Sequence, residues 1–145
     1  MEKRPTVADM MAAYAQDAVD HAKASSGITL DYSPESVRGV EAVLDKLYLA
    51  MPRGLLGRLF GKGPSSETIV NVSKMYGGYI GEVVRRAAGG EWVFDTEVVP
   101  GQNTICLRKG ESRVFPPGKV HKRLTNGSED NVWFYYQVLM SEHWE

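Results

Sequence analysis

The sequence predicts an α+β fold, with helices packed on a small antiparallel sheet in a single domain spanning residues 1–145. Three observations predict it. Apolar residues recur at spacings of three and four behind helix-start signals at Thr6, Ser33 and Ser65–Ser66. From Glu91 to Arg108 the spacing changes to alternation on either side of a turn at Pro100–Asn103. Between these regions lies a helical stretch carrying Gly77, Gly78 and Gly81. Each glycine costs such a helix about 0.8–1.0 kcal/mol relative to Ala. Three within five positions imply close approach of other backbone, so this Gly-notched helix is expected at the centre of the fold. A chain of this length buries about 68–70% of its unfolded surface and needs no staples.

The first helix begins at Thr6, with Asp9 placed to complete a capping box. Met10, Met11, Tyr14, Ala18, Val19 and Ala22 give its apolar stripe, and Ser25-Ser26-Gly27 stops it. Ile28 to Tyr32 reads either as a short strand or as an extended connection. Ser33-Pro34-Glu35 starts the second helix with a cap, a proline suited to the first position and an acid against the positive end of the dipole. Its stripe is Val37, Val40, Val43, Leu44, Leu47 and Met51, and Pro52 ends it. Arg53–Ser66 has four glycines, three cations and a proline, the composition of a mobile loop, but Leu55, Leu56, Leu59 and Phe60 are too apolar for a plain linker. They fold back on the core or meet a partner or membrane.

The central helix carries Ile69, Val72, Met75, Tyr76, Tyr79, Ile80, Val83 and Ala87 on one side. Glu82 is within reach of Arg85 and Arg86, and Gly89-Gly90 supplies the stop. Glu91–Val99 then alternates, Thr104–Arg108 pairs with it as a hairpin, and Ser112–Phe115 offers a third short strand. Asp95 and Glu97 share a strand face and are expected to pair with Arg108, the alternative being a catalytic carboxylate pair. Lys119–Leu124 reads as a short helix closed by Asn126-Gly127, and Ser128-Glu129-Asp130 as the cap and acidic first turn of a last helix. The run Val132–Val138 is also strongly β-prone, so strand remains an alternative there.

Composition narrows the function classes. Net charge is −1, so no global field selects nucleic acid or membrane. The charge is uneven: from Asp9 to Lys46 seven acids oppose three bases, and from Arg108 to Arg123 six bases oppose Glu111. These regions face each other or solvent, or the second forms a basic binding face. One cysteine, Cys106, excludes an intramolecular disulfide and suits a cytoplasmic setting. No apolar segment follows Met1–Pro5, so no secretory signal is read there, and no stretch approaches the roughly 18 apolar residues of a membrane span.

Catalytic motifs are not found, and no cofactor is implied. His21, His121 and His143 lack partners at metal-ligand spacing, so no metal site is expected. Cys106 lies mid-strand, as a structural thiol does. Gly57–Gly63 has the wrong glycine spacing for a phosphate loop, with Gly63 where a hydroxyl would hold magnesium. Glu82 stands out among the acids because glycines precede it. If buried it demands a partner such as Arg, and with Arg85 and Trp92 it marks a possible pocket.

Three stretches together carry a resemblance: Leu30-Asp31-Tyr32-Ser33-Pro34-Glu35-Ser36-Val37, Gly78–Arg86 with Gly90-Glu91-Trp92, and Lys119–Gly127. Over most of Ile28–Leu139, apart from the Arg53–Ser66 loop, the chain resembles a family of small bacterial domains of unknown function. Some similar proteins accompany polymorphic or secreted toxins as immunity proteins. The resemblance implies no catalytic residues and favours a helical tail. The expected function is therefore non-catalytic protein binding, in the sharper form a bacterial immunity protein that occludes a cognate toxin. Arg53, Arg58, Phe60, Lys119, Lys122 and Arg123 are the candidate contacts, chosen for charge and expected exposure. The alternative is a small-molecule-binding or enzymatic domain using Glu82, Arg85 and Trp92. A peripheral nucleic-acid or membrane binder comes third, with Lys119, Lys122 and Arg123 on phosphates and the Trp133–Tyr136 aromatics for stacking. The absence of a matching nucleic-acid motif counts against it.

Overall fold

The computed structural model describes residues 4–51 and 66–142. Their order is α1 (Val7–Ser26), α2 (Ser36–Ala50), α3 (Ser66–Ala88), β1 (Glu91–Asp95), β2 (Thr104–Lys109), β3 (Ser112–Val114), α4 (Pro116–Asn126), a 3-10 turn (Ser128–Asp130) and α5 (Val132–Ser141). This is the α+β arrangement expected, helices on a small antiparallel sheet. Arg53, Arg58 and Phe60, with the rest of 52–65, lie outside the described residues.

Helix α3 is the hub, packed by α1 and by α4. The glycine notch explains how. A Cβ built at Gly77 would overlap the backbone of Pro116 and Pro117, where α4 begins. One at Gly78 would lie 3.1 Å from the Met11 carbonyl oxygen of α1. One at Gly81 would enter the Trp92 indole. Each glycine thus admits a different neighbour, and every residue from Tyr76 to Val84 is buried. The stripe departs from expectation at Ala87, which is exposed where α3 runs out of partners.

The other helix ends follow local chemistry. At α1, Asp9 N–H donates to Thr6 Oγ1 and Thr6 N–H to Asp9 Oδ2, both at 3.0 Å, which completes the capping box. Gly27 closes the helix in the left-handed region. Ile28–Asp31 is a connection outside the sheet and not a strand. Ser33 Oγ accepts the Ser36 N–H, as a cap at that position should, although regular helix begins only at Ser36. The Tyr79 hydroxyl of α3 accepts from the Tyr32 N–H at 2.8 Å and lies 2.6 Å from Ser36 Oγ. That bond holds Tyr32 at φ +65°, a conformation L-residues seldom adopt.

The sheet runs β1-β2-β3, antiparallel throughout, with Glu91 opposite Arg108 and Arg108 opposite Arg113. Strand β1 is shorter than the alternation to Val99 suggested. The Asp95 carboxylate accepts the N–H groups of Glu97 and Val98, at 2.7 and 3.2 Å, and turns the chain out of the sheet. The expected pairing with Arg108 is accordingly corrected. Arg113 of β3 pairs with both Asp95 and Glu97, while Arg108 pairs with Glu91 directly across the hairpin. The tail is helical. Its cap is Asn131, whose side chain accepts from the Phe134 N–H, rather than Ser128, which opens the 3-10 turn.

Candidate binding groove

Residues of β2, β3, α4, α5 and the turn after β1 line a trough of about 510 Å³. Strand β3 contributes Arg113 and Val114, and Phe115 follows at the start of α4. Pro116 and Pro117 fix that start, because a missing N–H costs nothing in a first helical turn. Helix α4 then presents Gly118, Lys119 and Lys122 at helical spacing along the rim. Val98, in the turn that Asp95 creates, Thr104 of β2 and Tyr135 of α5 complete the lining.

The walls are mostly apolar and the rim is cationic. Val98 is 52% exposed, a large amount for an aliphatic side chain beside other apolar groups. The rim cations differ in what already holds them. Arg113 is engaged by Asp95 and Glu97. Lys119 bonds Asp130 at 2.9 Å and lies 5.7 Å from the Tyr135 ring centroid. Asp130 also accepts from Asn126, and these bonds hold its carboxyl below its ordinary value. Lys122 is exposed and makes no ion pair among the described residues. Burial pushes the Tyr135 phenol up to about 12, so it remains an O–H donor at neutral pH.

Lys119 and Lys122 therefore share one site, as sequence reasoning grouped them, but Arg123 does not. Its guanidinium is fully buried, 2.8 Å from Glu41 and 2.6 Å from Asp45 of α2. Nε also reaches both Glu41 oxygens at 3.0 Å, and the guanidinium carbon is 5.6 Å from the Tyr48 ring centroid. Glu41 additionally accepts the Val132 N–H at the start of α5. Arg123 is thus a core tie between α4 and α2, and the expectation of an exposed contact there is corrected. Part of the basic segment does face the acidic one, while Lys122 points a charge to solvent. Val98, Thr104, Arg113 and Phe115 were not among the predicted contacts. The net charge of Arg108–Arg123 was the available signal for Arg113, and nothing in the sequence marked the others.

Glu82, Arg85 and Trp92 also come together, beside an open depression of about 450 Å³ bordered by Asp9 of α1 and by Glu91. Arg85 grips Glu82 with Nε at 2.7 Å and a second nitrogen at 3.1 Å, and Trp92 Nε1 donates to it at 3.0 Å. Burial pushes the Glu82 carboxyl up. The hydrogen bonds from Arg85 and Trp92, with the charges of Arg85 and Arg86, outweigh it and hold the group below its ordinary value. Glu82 is therefore a committed anion that fastens β1 to α3, the reverse of a proton donor poised near neutrality. Cys106 is buried in β2, and burial pushes its thiol up, away from the thiolate a nucleophile needs. Among the described residues no group of three or more His, Cys, Asp or Glu is placed to hold a metal, and no helix is long and apolar enough to cross a membrane.

No family model matches the chain, and neither does any curated protein or solved structure.

Proposed function

We propose that this chain is a non-catalytic protein-binding module that receives its partner in the groove between the sheet and α4. The observation that carries this reading is the pairing of an apolar lining, exposed at Val98 and partly buried at Val114 and Phe115, with the cations Lys119 and Lys122. Protein interfaces have this anatomy: an apolar, aromatic centre and a polar rim that sets orientation and association rate. The sharper form, a cytoplasmic bacterial immunity protein that plugs a cognate toxin, rests on the sequence resemblance alone. A second reading, small-molecule binding beside Glu82, Arg85 and Trp92, is favoured by one observation. The depression there is bordered by the charged side chains of Asp9, Glu82, Arg85 and Glu91, convergent polar groups of the kind that fix a ligand's orientation.

The test compares the tagged chain with the Val98→Glu/Lys122→Glu double variant, both recovered from the native cells at moderate salt. Both residues are exposed, so the variant should fold, and circular dichroism checks that it does. One protein retained stoichiometrically by the wild type and lost by the variant supports the module and its groove. A partner retained equally by both contradicts the groove. No partner at all contradicts the reading.

A further inference from the structure

Resting on that assignment of the groove, we propose that its partner enters as an acidic segment, burying one aromatic or large aliphatic side chain between Val98 and Phe115 and setting a carboxylate against Lys122 and the Tyr135 hydroxyl. Three features specify this chemistry. First, the groove holds donors and no free acceptors of charge. Arg113 and Lys119 already have carboxylate partners, whereas Lys122 makes no direct ion pair, its charge acting on Asp130 only from a distance, and neither the Tyr135 hydroxyl nor the Thr104 side chain makes a hydrogen bond among the described residues. A partner carboxylate satisfies these groups, whereas an ammonium or guanidinium set at the same place would meet the exposed Lys122 charge. Second, the walls beneath the rim are apolar, so a purely polar acidic stretch would leave them wet.

Third, the trough is broadly open to solvent. A free small ligand gains affinity by burying some 70–90% of its surface, which an open trough does not allow. A chain segment continues past both ends and makes further contacts there. Nucleic acid fits less well. Phosphate binding needs several cations along a backbone track, and a single uncommitted lysine over an apolar floor does not supply them.

The experiment selects from a displayed library of random linear peptides against the full-length chain. Enriched peptides are expected to share one aromatic or large aliphatic residue flanked by Asp or Glu. A synthetic peptide of that consensus should bind with an affinity that falls as salt is added. Lys122→Glu should weaken it at least tenfold and Tyr135→Phe several-fold. Exchanging the peptide's acids for Lys should abolish binding to the wild type and restore it in part to Lys122→Glu. Enrichment without acidic residues, or binding indifferent to Lys122→Glu, overturns the proposal. So does binding lost on Arg85→Ala instead, which would place the site beside Glu82. If a native partner depends on the groove but the selected peptides are not acidic, the binding module stands and the proposed chemistry falls. A selection that enriches nothing also overturns the proposal.

Discussion

Substituting Gly77 by Ala isolates the close contact on which the fold depends. The added Cβ would overlap the backbone of Pro116 and Pro117, not the movable end of a side chain. Helix α4 must therefore shift away from α3, and the groove wall that α4 carries shifts with it. Overpacking of this kind costs about 1–3 kcal/mol, and a backbone overlap belongs at the upper end. Relief of the glycine penalty in a helix returns about 1 kcal/mol. The net expectation is a loss of about 2 kcal/mol, or roughly 4–8 °C in Tm at about 2–4 °C per kcal/mol. Gly118→Ala is the matched control. Its Cβ would meet only Phe115 Cβ, at an ordinary 3.7 Å, so the helix gain of up to about 1 kcal/mol should appear undiminished. Calorimetric melts of both variants decide the matter. If Gly77→Ala is as stable as Gly118→Ala, the notch is not a packing device and α4 does not sit where described.

Other perturbations test the ties around this centre. Arg123→Met should lower stability by about 3 kcal/mol, because it leaves Glu41 without its buried counter-charge. An unchanged denaturation midpoint would mean that α2 and α4 are not joined through this residue. Glu82 has a folded pKa below its ordinary 4.5, so its stabilisation is complete above that value and is lost as pH falls through the lower folded value. Glu82→Gln should therefore be less stable than wild type at neutral pH, with the gap closing in acid. A gap independent of pH would contradict the assignment. Buried Cys106, with its raised pKa, should resist alkylation at neutral pH in the folded protein and react fully after denaturation. Rapid labelling of the native chain would place it elsewhere.

Local signals were legible in the sequence, and distant pairings were not. Thr6 with Asp9 forms the capping box its spacing announced, and three glycines in one helix foretold a crowded centre. Both follow from chemistry within one or two helical turns. The length of β1 was misread because apolar alternation continues to Val99. The Asp95 side chain captures two backbone N–H groups and ends the strand despite that pattern. Arg123 was misplaced for a different reason. Its charge is visible in the sequence, but its acceptors lie 82 and 78 residues away, and nothing local reveals that the chain returns to them. Lys122, one position earlier and about 100° around the same helix, keeps the exposure expected of both. The groove was only half legible for the same cause, since Val98, Phe115 and Tyr135 come from separate elements that meet only in the folded chain.

Amide hydrogen exchange of the chain with and without its recovered partner tests the groove most directly. Binding there predicts slowed exchange around Val98, from Arg113 to Lys122 and around Tyr135, with α1 and the Glu82 side of β1 unchanged. Protection confined to Asp9, Glu91 and Trp92, or none near α4, would contradict the assignment of this groove as the binding site.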